Sequence, residues 1–203
     1  RDFTINSMAA SLMEQNFGEI YDPFGGIKDI QKKILITPLD PDTTFKDDPL
    51  RILRGVRFAA QLNFNLTPFI QDSIIKQKKG LDFISKERIT EELIKILKTK
   101  KPSIGLQLLK DLDLYPFVFP EIDELGGVEV IDGKGHKDVF FHTLEVVDNA
   151  AELSGKMEIR FAALVHDIAK PRTKKFYKRR GWTYYGHEEL GMHMIRKIAK
   201  RMK

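Results

Sequence analysis

The stretch DDPLRILRGVRFAA, residues 47–60, decides the fold class because the sequence changes to helical periodicity here. At about 100° per residue, its apolar side chains share one arc and its arginines share the opposite arc. The apolar arc comprises Ile52, Leu53, Val56, Ala59 and Ala60, and the opposite arc comprises Arg51, Arg54 and Arg57. Asp48 suits an N-cap and Pro49 suits the first helical position. We therefore predict a helix from Asp48 to about Leu62.

The arginine-bearing face sets one carboxylate, Asp48, beside one guanidinium, Arg51. Cytosine and adenine both present an exocyclic amine next to a ring nitrogen that accepts a hydrogen bond, whereas uracil and guanine present the reverse. Asp48 could accept from the amine and Arg51 could donate to the ring nitrogen, and the wrong base would leave buried polar groups unpaired. Arg54 and Arg57 suit a triphosphate or RNA phosphates. A solvated helix face with a capping aspartate is the alternative interpretation.

Working outward, the residues before this helix predict a small β region. Residues 2–6 alternate polar and apolar side chains, which is typical of a half-buried strand. Residues 8–12 fit either a short helix or more sheet, residues 22–26 form a turn, and residues 34–36 form a short strand.

The residues after the helix are mostly helical. Helices are predicted at about 68–77, from near 85, at about 103–112, 143–153 and 158–168, and from near 188. A cluster of Pro and Gly places the likeliest domain boundary near residues 113–127. Residues 176–185 predict a β-hairpin around Arg179-Arg180-Gly181.

Composition sets broad limits on the class of protein. The chain has 203 residues, of which 42% are hydrophobic, and this is enough for one or two packed domains. A formal net charge of +5 suits a polyanionic partner. The absence of cysteine excludes disulfides and thiolate zinc sites, and it fits a reducing, cytoplasmic setting. No apolar run reaches the length of a membrane span, so we expect no membrane partner. Oligomeric state cannot be read from the sequence.

Histidines and a carboxylate in the last third of the chain suggest a metal site. His142 begins one predicted helix, His166-Asp167 ends another, and His187 follows the hairpin. Imidazole and carboxylate ligands suit divalent metals, and burying an adjacent His-Asp pair requires a charged partner. A capped helix end is the alternative. We expect His136 to be a loop residue and His193 to be a surface residue of the last helix.

The basic hairpin, residues 174–185, interleaves cations with aromatic rings. Its cations are Lys174, Lys175, Lys178, Arg179 and Arg180, and its aromatic residues are Phe176, Tyr177, Trp182, Tyr184 and Tyr185. Positive charge beside stacking platforms suits RNA. A packed hairpin with a solvated tip is the alternative.

Four motifs in order carry a family resemblance over residues 1 to about 97. The stretch DDPLRILR followed by VRFAA resembles the nucleotide-recognition motif of class II CCA-adding enzymes and bacterial poly(A) polymerases. RDFTINSMA at residues 1–9 resembles the family's RRDFTINAMA segment, and DPFGG at 22–26 resembles its DPFGG turn. SKERI at 85–89, with Glu92-Leu93, resembles its ERI–EL helix.

The resemblance implies a template-independent RNA nucleotidyltransferase that adds C and A to tRNA 3′ ends from CTP and ATP. It makes Asp48 and Arg51 the residues that select the nucleotide, and it adds Arg1, Asp2 and Asn6 to the nucleotide pocket. In this family the carboxylates that hold two Mg²⁺ ions lie on a Gly-Gly…Asp-x-Asp segment before the RDFT strand. We therefore assign no catalytic residue within this chain, expect the chain to be a truncated piece, and expect it not to catalyse by itself.

The later residues resemble an HD domain, whose metal positions match His142, His166 and Asp167. His187 matches a common additional histidine, and the closing aspartate is expected on a later helix, so metal binding stays an expectation. The fold expected is mainly α, with a small β remnant of a nucleotidyltransferase head (1–45), a helical neck that reads nucleotide and RNA (46–112) and a helical HD domain with a β-hairpin (113–203). The alternatives are a poly(A) polymerase, an A-only or CC-only enzyme, a metal-dependent phosphohydrolase, or a non-catalytic tRNA- or nucleotide-binding fragment.

Overall fold

A computed structural model describes residues 1–136 and 138–202 of the protein, without the side chain of Lys134. The chain divides into two compact units, Arg1–Ile84 and Ser85–Lys203. Both units are mainly α-helical, as the sequence predicts, and the strands in the described residues form two-stranded pairings. Within those residues, no helix has both the length and the apolar character needed to cross a membrane.

The first unit has four α-helices and four short strands within the described residues. The helices are α1 (Gly26–Lys32), α2 (Pro41–Asp47), α3 (Leu50–Leu62) and α4 (Pro68–Gln77). The strands are β1 (Ala9–Ala10), β2 (Ile20–Tyr21), β3 (Ile34–Leu35) and β4 (Asn65–Leu66). β1 pairs antiparallel with β2, and β3 pairs parallel with β4. The predicted strand at 34–36 and the predicted helix at 68–77 are confirmed.

The strand predicted at residues 2–6 is wrong, because this segment forms a 3₁₀ turn at Thr4–Asn6. The Phe3 backbone N–H donates to Asn6 Oδ1 at 3.2 Å, and Ser7 Oγ donates to the Phe3 carbonyl at 2.8 Å. Such local hydrogen bonds between side chains and backbone compete with the hydrogen bonds of a β-sheet. Phe3 is fully buried and meets Phe58 edge to face, so the turn is also anchored by packing.

The Asp-Pro-Phe-Gly-Gly turn packs against this 3₁₀ turn through Gly26. Thr4 Oγ1 donates to Asp29 Oδ2 at 2.6 Å, and both residues are buried. The Asp22 carboxylate accepts the N–H groups of Gly26 and Ile27, and hydrogen bonding to Ile27 lowers the pKa of Asp22. A Cβ on Gly26 would lie 2.3 Å from the Thr4 carbonyl oxygen, so the two segments approach too closely for any other residue.

Replacing Gly26 with alanine is expected to destabilise the first unit by about 1–3 kcal/mol, because backbone has to move to admit the methyl group. Urea unfolding followed by circular dichroism measures the change. Gly155→Ala is the matched control, since a Cβ there meets nothing within 4 Å. Equal midpoints for the two variants would contradict the close approach.

Helix α2 was not predicted, and helix α3 begins later than predicted. Asp40 caps α2 by accepting the Thr43 N–H at 2.9 Å, and Pro41 occupies its first position. Asp48 is extended, with φ −145° and ψ 96°, and α3 begins at Leu50. The Asp48 carbonyl accepts the Arg51 N–H at 3.0 Å, so Asp48 directly precedes the first helical turn.

The second unit has eight α-helices and four short strands within the described residues. The helices are α5 (Lys86–Leu97), α6 (Pro102–Asp111), α7 (Tyr115–Val118), α8 (Pro120–Asp123), α9 (Val139–Leu153), α10 (Met157–Val165), α11 (Lys170–Thr173) and α12 (His187–Arg201). The strands are β5 (Val130–Ile131), β6 (Lys134–Gly135), β7 (Lys175–Tyr177) and β8 (Gly181–Thr183). β5 pairs with β6 and β7 pairs with β8, both antiparallel, which confirms the hairpin predicted at 176–185.

Residues 113–127, where the sequence suggested a domain boundary, lie inside the second unit. Pro116 and Pro120 occupy first-turn positions of the short helices α7 and α8 instead of interrupting the chain. Tyr115 and Phe119 are buried, and the Tyr115 hydroxyl donates to the Leu106 carbonyl at 2.8 Å. The segment is therefore part of a packed core.

Arg160 is buried in the second unit, and its guanidinium donates to backbone carbonyls. Its Nη1 donates to the carbonyls of Leu97 and Thr99 at 2.7 and 2.8 Å. Its Nη2 and Nε donate to the carbonyls of Ala151 and Ser154, each at 3.2 Å. These carbonyls end helices α5 and α9, so one guanidinium satisfies two helix C-termini.

Candidate functional site

Helix α3 has the two faces that its sequence predicts. Ile52, Val56 and Ala59 are fully buried, and Leu53 and Ala60 nearly so. Arg51, Arg54 and Arg57 are half-buried on the other side. We call Asp48 together with α3 the reader helix.

Two arginines of the reader helix lie against Asp2, a buried carboxylate from the N-terminal segment. Arg54 Nη2 lies 2.5 Å from Asp2 Oδ2, and Arg51 Nε lies 3.4 Å from Asp2 Oδ1. Arg51 Nη1 also donates to the Thr44 carbonyl at 3.3 Å. Asp2, expected in the nucleotide pocket, thus contacts two of the three arginines expected there, and their side chains are fixed before any ligand binds.

Asp48 contacts the first residue of α3. Its Oδ1 accepts the Leu50 N–H at 3.2 Å, and the residue is half-buried. This bond fixes the position of the carboxylate relative to the first turn of α3. Joint selection of a base by Asp48 and Arg51 stays a prediction.

The other residues expected in the nucleotide pocket have different surroundings. Arg1 is exposed. Asn6 Oδ1 accepts the Phe3 N–H and so stabilises the 3₁₀ turn. The Arg57 guanidinium lies 4.2 Å from the centre of the Phe58 ring, a cation–π contact on the reader helix itself.

The histidine and aspartate residues predicted as metal ligands come together in the second unit. His142 on α9 meets His166 and Asp167, which directly follow α10. Each offers a ligand atom, and these atoms lie within 4.8 Å of one another. We call these three residues the metal cluster. Two imidazole nitrogens and one carboxylate oxygen fit a divalent metal ion.

Asp167 is the buried member of the metal cluster and is held as an anion. Its Oδ2 lies 2.7 Å from Lys170 Nζ and 3.1 Å from His166 Nε2. Burial opposes ionisation, but the hydrogen bonds from His166 and Lys170 outweigh it and lower the pKa of Asp167 to about 2. The hydrogen bond with Asp167 raises the pKa of His166. A bound metal would replace these cations as the partner of the carboxylate.

His187, the additional histidine of the prediction, lies beside the metal cluster at the start of α12. Its Nδ1 lies 2.8 Å from the Tyr184 carbonyl, and its Nε2 lies 3.9 Å from Asp167 Oδ1. The carbonyl fixes the ring with Nε2 directed toward the cluster, an arrangement common for histidines near metals. Its role as a ligand stays a prediction.

The basic hairpin divides into an inner and an outer part. Lys174 is on the inside: its Nζ lies 2.6 Å from Glu129 Oε1 and 5.4 Å from the centre of the Trp182 ring. Lys175, Lys178, Arg179 and Arg180 are exposed, as an RNA-binding surface requires. Lys174 was predicted as an RNA contact, but its ammonium is already engaged within the protein.

A cavity of about 580 Å³ lies between the metal cluster and the basic hairpin. Its lining includes His142 and Asp167 of the metal cluster and Arg180, Trp182 and Tyr184 of the basic hairpin. His136, expected only as a loop residue, also lines it and meets Trp182 with ring centroids 5.1 Å apart. In the sequence His136 follows two glycine-containing stretches, 126–127 and 133–135, and this pattern does not indicate a partner 46 residues away.

Three family descriptions match successive parts of the chain. Residues 1–36 match the Poly A polymerase head domain, residues 63–125 match the probable RNA and SrmB-binding site of polymerase A, and residues 139–203 match the HD domain. The Multifunctional CCA protein of Psychromonas ingrahamii is 38% identical over 211 residues, which cover 100% of this chain and 49% of that protein. The Multifunctional CCA protein of Shewanella frigidimarina is 37% identical over a match that covers 100% of this chain and 48% of that protein.

The chain belongs to the CCA-adding enzyme and poly(A) polymerase family, with a fused HD domain. It spans about half the length of the curated relatives that it matches. The reader helix lies between the head and RNA-binding matches, in residues 37–62.

Solved structures of the CCA-adding family share the fold. A CCA-adding enzyme in complex with CTP has a TM-score of 0.65 at 24% identity, covering 100% of this chain and 42% of that chain. A CCA-adding enzyme in an apo form has a TM-score of 0.65 at 25% identity, and the match covers 98% of this chain and 45% of that chain. A tRNA-processing enzyme complex has a TM-score of 0.66 at 24% identity, and the match covers 100% of this chain and 52% of that chain. The mainly helical fold predicted from the sequence is confirmed by these likenesses.

Proposed function

We propose that the whole protein adds C and A to the 3′ end of tRNA without a template, using CTP and ATP selected by Asp48 and Arg51. The observation that carries this proposal is the arrangement of the reader helix. Its apolar face is buried, and Asp2 fixes Arg51 and Arg54 on its other face. Family membership and the CCA-adding relatives support the same activity.

The reaction joins a nucleoside monophosphate to RNA. The oxygen of the tRNA 3′-hydroxyl attacks the α-phosphorus of the nucleotide, the bond to the β-phosphate breaks, and pyrophosphate leaves while the hydroxyl loses its proton. Divalent ions, Mg²⁺ in this proposal, supply activation of the hydroxyl and stabilisation of the triphosphate charge. In this chain, Asp48 and Arg51 orient and select the base, and Arg54 and Arg57, with Arg1, attract the phosphates.

The exposed cations of the basic hairpin support tRNA as the partner. Lys175, Lys178 and Arg179 are exposed at or near the turn between β7 and β8. Lysine and arginine side chains in such a position contact phosphates without reading sequence. We assign them to the tRNA backbone, and we leave Lys174 out because Glu129 holds it.

The test is nucleotide addition by the whole protein to tRNA that lacks its 3′ end, with each of the four nucleotides alone and together. Addition of C, C and then A supports the proposal. Long A tails would indicate a poly(A) polymerase, and addition restricted to A or to CC would indicate a specialised enzyme. Binding of tRNA without addition of any nucleotide would refute transferase activity.

We propose a second activity for the HD domain: metal-dependent hydrolysis of a phosphate ester. The metal cluster and the cavity beside it favour this activity. A water oxygen attacks phosphorus, the ester P–O bond breaks, and the released alcohol takes up a proton. A bound divalent ion supplies the activated water. His142, His166 and Asp167 would hold that ion, and Lys170 is placed to hold the phosphate.

Metal binding gives a direct test of the second activity. Mn²⁺ is expected to raise the melting temperature of the unmodified protein, because the ion binds the folded state only. His166→Ala should reduce this increase, whereas His193→Ala, on an exposed side chain of α12, should keep it in full. The same His166→Ala variant should still add nucleotides to tRNA. An unchanged response to Mn²⁺ in His166→Ala would refute the metal cluster.

A further inference from the structure

One carbonyl oxygen of helix α2 contacts both residues of the selecting pair, Asp48 and Arg51. The Thr44 carbonyl accepts the Asp48 backbone N–H at 3.4 Å and Arg51 Nη1 at 3.3 Å. Both hydrogen bonds are longer than usual, so their geometry depends on other contacts that hold α2 in place. The position of the Arg51 guanidinium relative to Asp48 therefore depends on where α2 ends.

Helix α2 is fixed internally along its short length. Asp40 caps its first turn by accepting the Thr43 N–H at 2.9 Å. Thr44 Oγ1 donates to the Asp40 carbonyl at 2.9 Å, and Thr44 and Phe45 are both buried. The Thr44 carbonyl therefore shifts only when α2 shifts as a whole.

Asp42 joins α2 to α4. Ser73 Oγ donates to Asp42 Oδ1 at 2.6 Å, and Ser73 is buried. Lys76 Nζ donates to Oδ2 of the same carboxylate, and the hydrogen bonds from Lys76 and Ser73 lower the pKa of Asp42. The Lys76 side chain is 67% exposed and its ion pair adds little stability, so the hydrogen bond from the buried Ser73 is the stronger link.

The 3₁₀ segment Lys78–Phe83, directly after α4, supports the residue between Asp48 and α3. That residue is Pro49, and a Cβ on Gly80 would lie 2.7 Å from Pro49 Cγ. A proline ring cannot rotate away from such a contact. We call residues 68–83 the support segment, because it contacts residues 42–49 at both ends.

Selection by hydrogen bonds requires the two selecting groups to be held at a fixed spacing. In the proposed function, a base meets the Asp48 carboxylate and the Arg51 guanidinium together, and displacement of a binding group by about 1 Å can lower a rate about 100-fold. Asp2 holds the same guanidinium from the N-terminal segment, at 3.4 Å. Helix α2 supplies a second contact, and this one also reaches the Asp48 backbone.

We propose that Asp42 is a positioning residue for nucleotide selection, and that it acts on Arg51 through α2 and the Thr44 carbonyl. The support segment fixes residues 42–49, and the Thr44 carbonyl transmits that fixed position to the guanidinium. The inference rests on the proposed function, since it concerns the choice of C and A over U and G. It gives Asp42 no contact with the nucleotide or with the reacting atoms.

The test measures the preference for CTP over UTP as a ratio of kcat/KM values for single-nucleotide addition to tRNA by the whole protein. Unfolded enzyme lowers both values alike, so a loss of stability alone leaves the ratio unchanged. Asp42→Ala should reduce the ratio by about tenfold, because α2 is no longer held against Ser73. Asp72→Ala, which removes an exposed carboxylate from α4, is the matched control and should keep the ratio of the parent.

Two milder variants show which contact of Asp42 matters. Asp42→Asn keeps an oxygen that accepts the Ser73 hydroxyl, so it should retain most of the preference although it loses the charge beside Lys76. Ser73→Ala removes only the hydroxyl and should lower the ratio in the same direction as Asp42→Ala.

A double-mutant cycle shows whether Asp42 acts through Arg51. In an Arg51→Ala background, Asp42→Ala should change the ratio by less than about twofold, because the guanidinium that it positions is gone. An equal factor in both backgrounds would overturn the proposal, since Asp42 would then act independently of Arg51.

The ratio of the parent in a folded Asp42→Ala protein would also overturn the proposal. Should that variant fail to fold, the ratio of the parent in Ser73→Ala would do so. A parent protein without any preference for CTP over UTP would instead refute the proposed function, and this inference with it. The two failures are therefore distinguished by the parent protein alone.

Discussion

Replacing Arg51 with alanine is expected to reduce the preference for CTP over UTP by about 100-fold, because a site that hydrogen-bonds its ligand rejects the wrong partner through unpaired buried groups. The guanidinium is fixed from two directions, by Asp2 at 3.4 Å and by the Thr44 carbonyl at 3.3 Å. Under the proposed function, its loss leaves Asp48 without the guanidinium that selects the base together with it. The measurement is kcat/KM for single-nucleotide addition to tRNA by the whole protein, with each nucleotide in turn.

Arg54→Ala is the matched control for Arg51→Ala. Arg54 lies one turn further along α3 and contacts the same carboxylate, with Nη2 2.5 Å from Asp2 Oδ2. If it serves the phosphates, its loss should lower kcat/KM for all nucleotides by a similar factor and leave their ratio unchanged. A normal choice of C and A in Arg51→Ala, or an altered choice in Arg54→Ala, would contradict the assignment.

The reader helix could be predicted from the sequence because its local and tertiary requirements agree. The spacing of Ile52, Val56 and Ala59 places them on one face, and that face is buried. The metal cluster could be predicted for a related reason, since His166 and Asp167 adjoin each other and end an apolar helix. In both places most of the residues of the candidate site are close together in the sequence.

Other features could not be predicted because they depend on contacts distant in sequence. Alternation in residues 2–6 indicated a strand, but Asn6 closes a turn and Phe3 packs on Phe58. Helix α2 differs from these cases, because its start signal, Asp40-Pro41, is local and present in the sequence. The ion-pair partner of Lys174 is Glu129, 45 residues away. Charge alone does not show which cations of a hairpin form such a pair.

Arg160 is the clearest case of a residue whose role only the structure shows. It lies within the apolar run of α10, and two of its partners are 63 and 61 residues away. A buried guanidinium is costly to desolvate, and it is tolerated here because four carbonyls at two helix ends accept its hydrogen bonds. No periodicity of the sequence contains that information.

Replacing Arg160 with methionine, which has a similar length but no donors, is expected to destabilise the second unit by about 2–5 kcal/mol. The cost arises because the carbonyls of Leu97 and Thr99 would be buried without partners, at about 1–3 kcal/mol for each group. Urea unfolding followed by the fluorescence of Trp182 measures this unit alone, since that tryptophan lies within it. Arg160→Lys should lose less stability than Arg160→Met, because an ammonium keeps the charge at the helix ends. It should still lose some, because the ammonium cannot reach all four carbonyls.

Arg172→Ala provides the surface control for Arg160→Met. Arg172 makes a two-pronged ion pair with Glu124, at 2.9 and 2.7 Å, but the two side chains are 48% and 40% exposed. Exposed ion pairs contribute about 0–1 kcal/mol, so this variant should unfold near the midpoint of the parent. If the free energy of unfolding falls no further in Arg160→Met than in Arg172→Ala, the prediction is wrong. That outcome would mean that water reaches the freed carbonyls and that Arg160 does not stabilise the two helix ends.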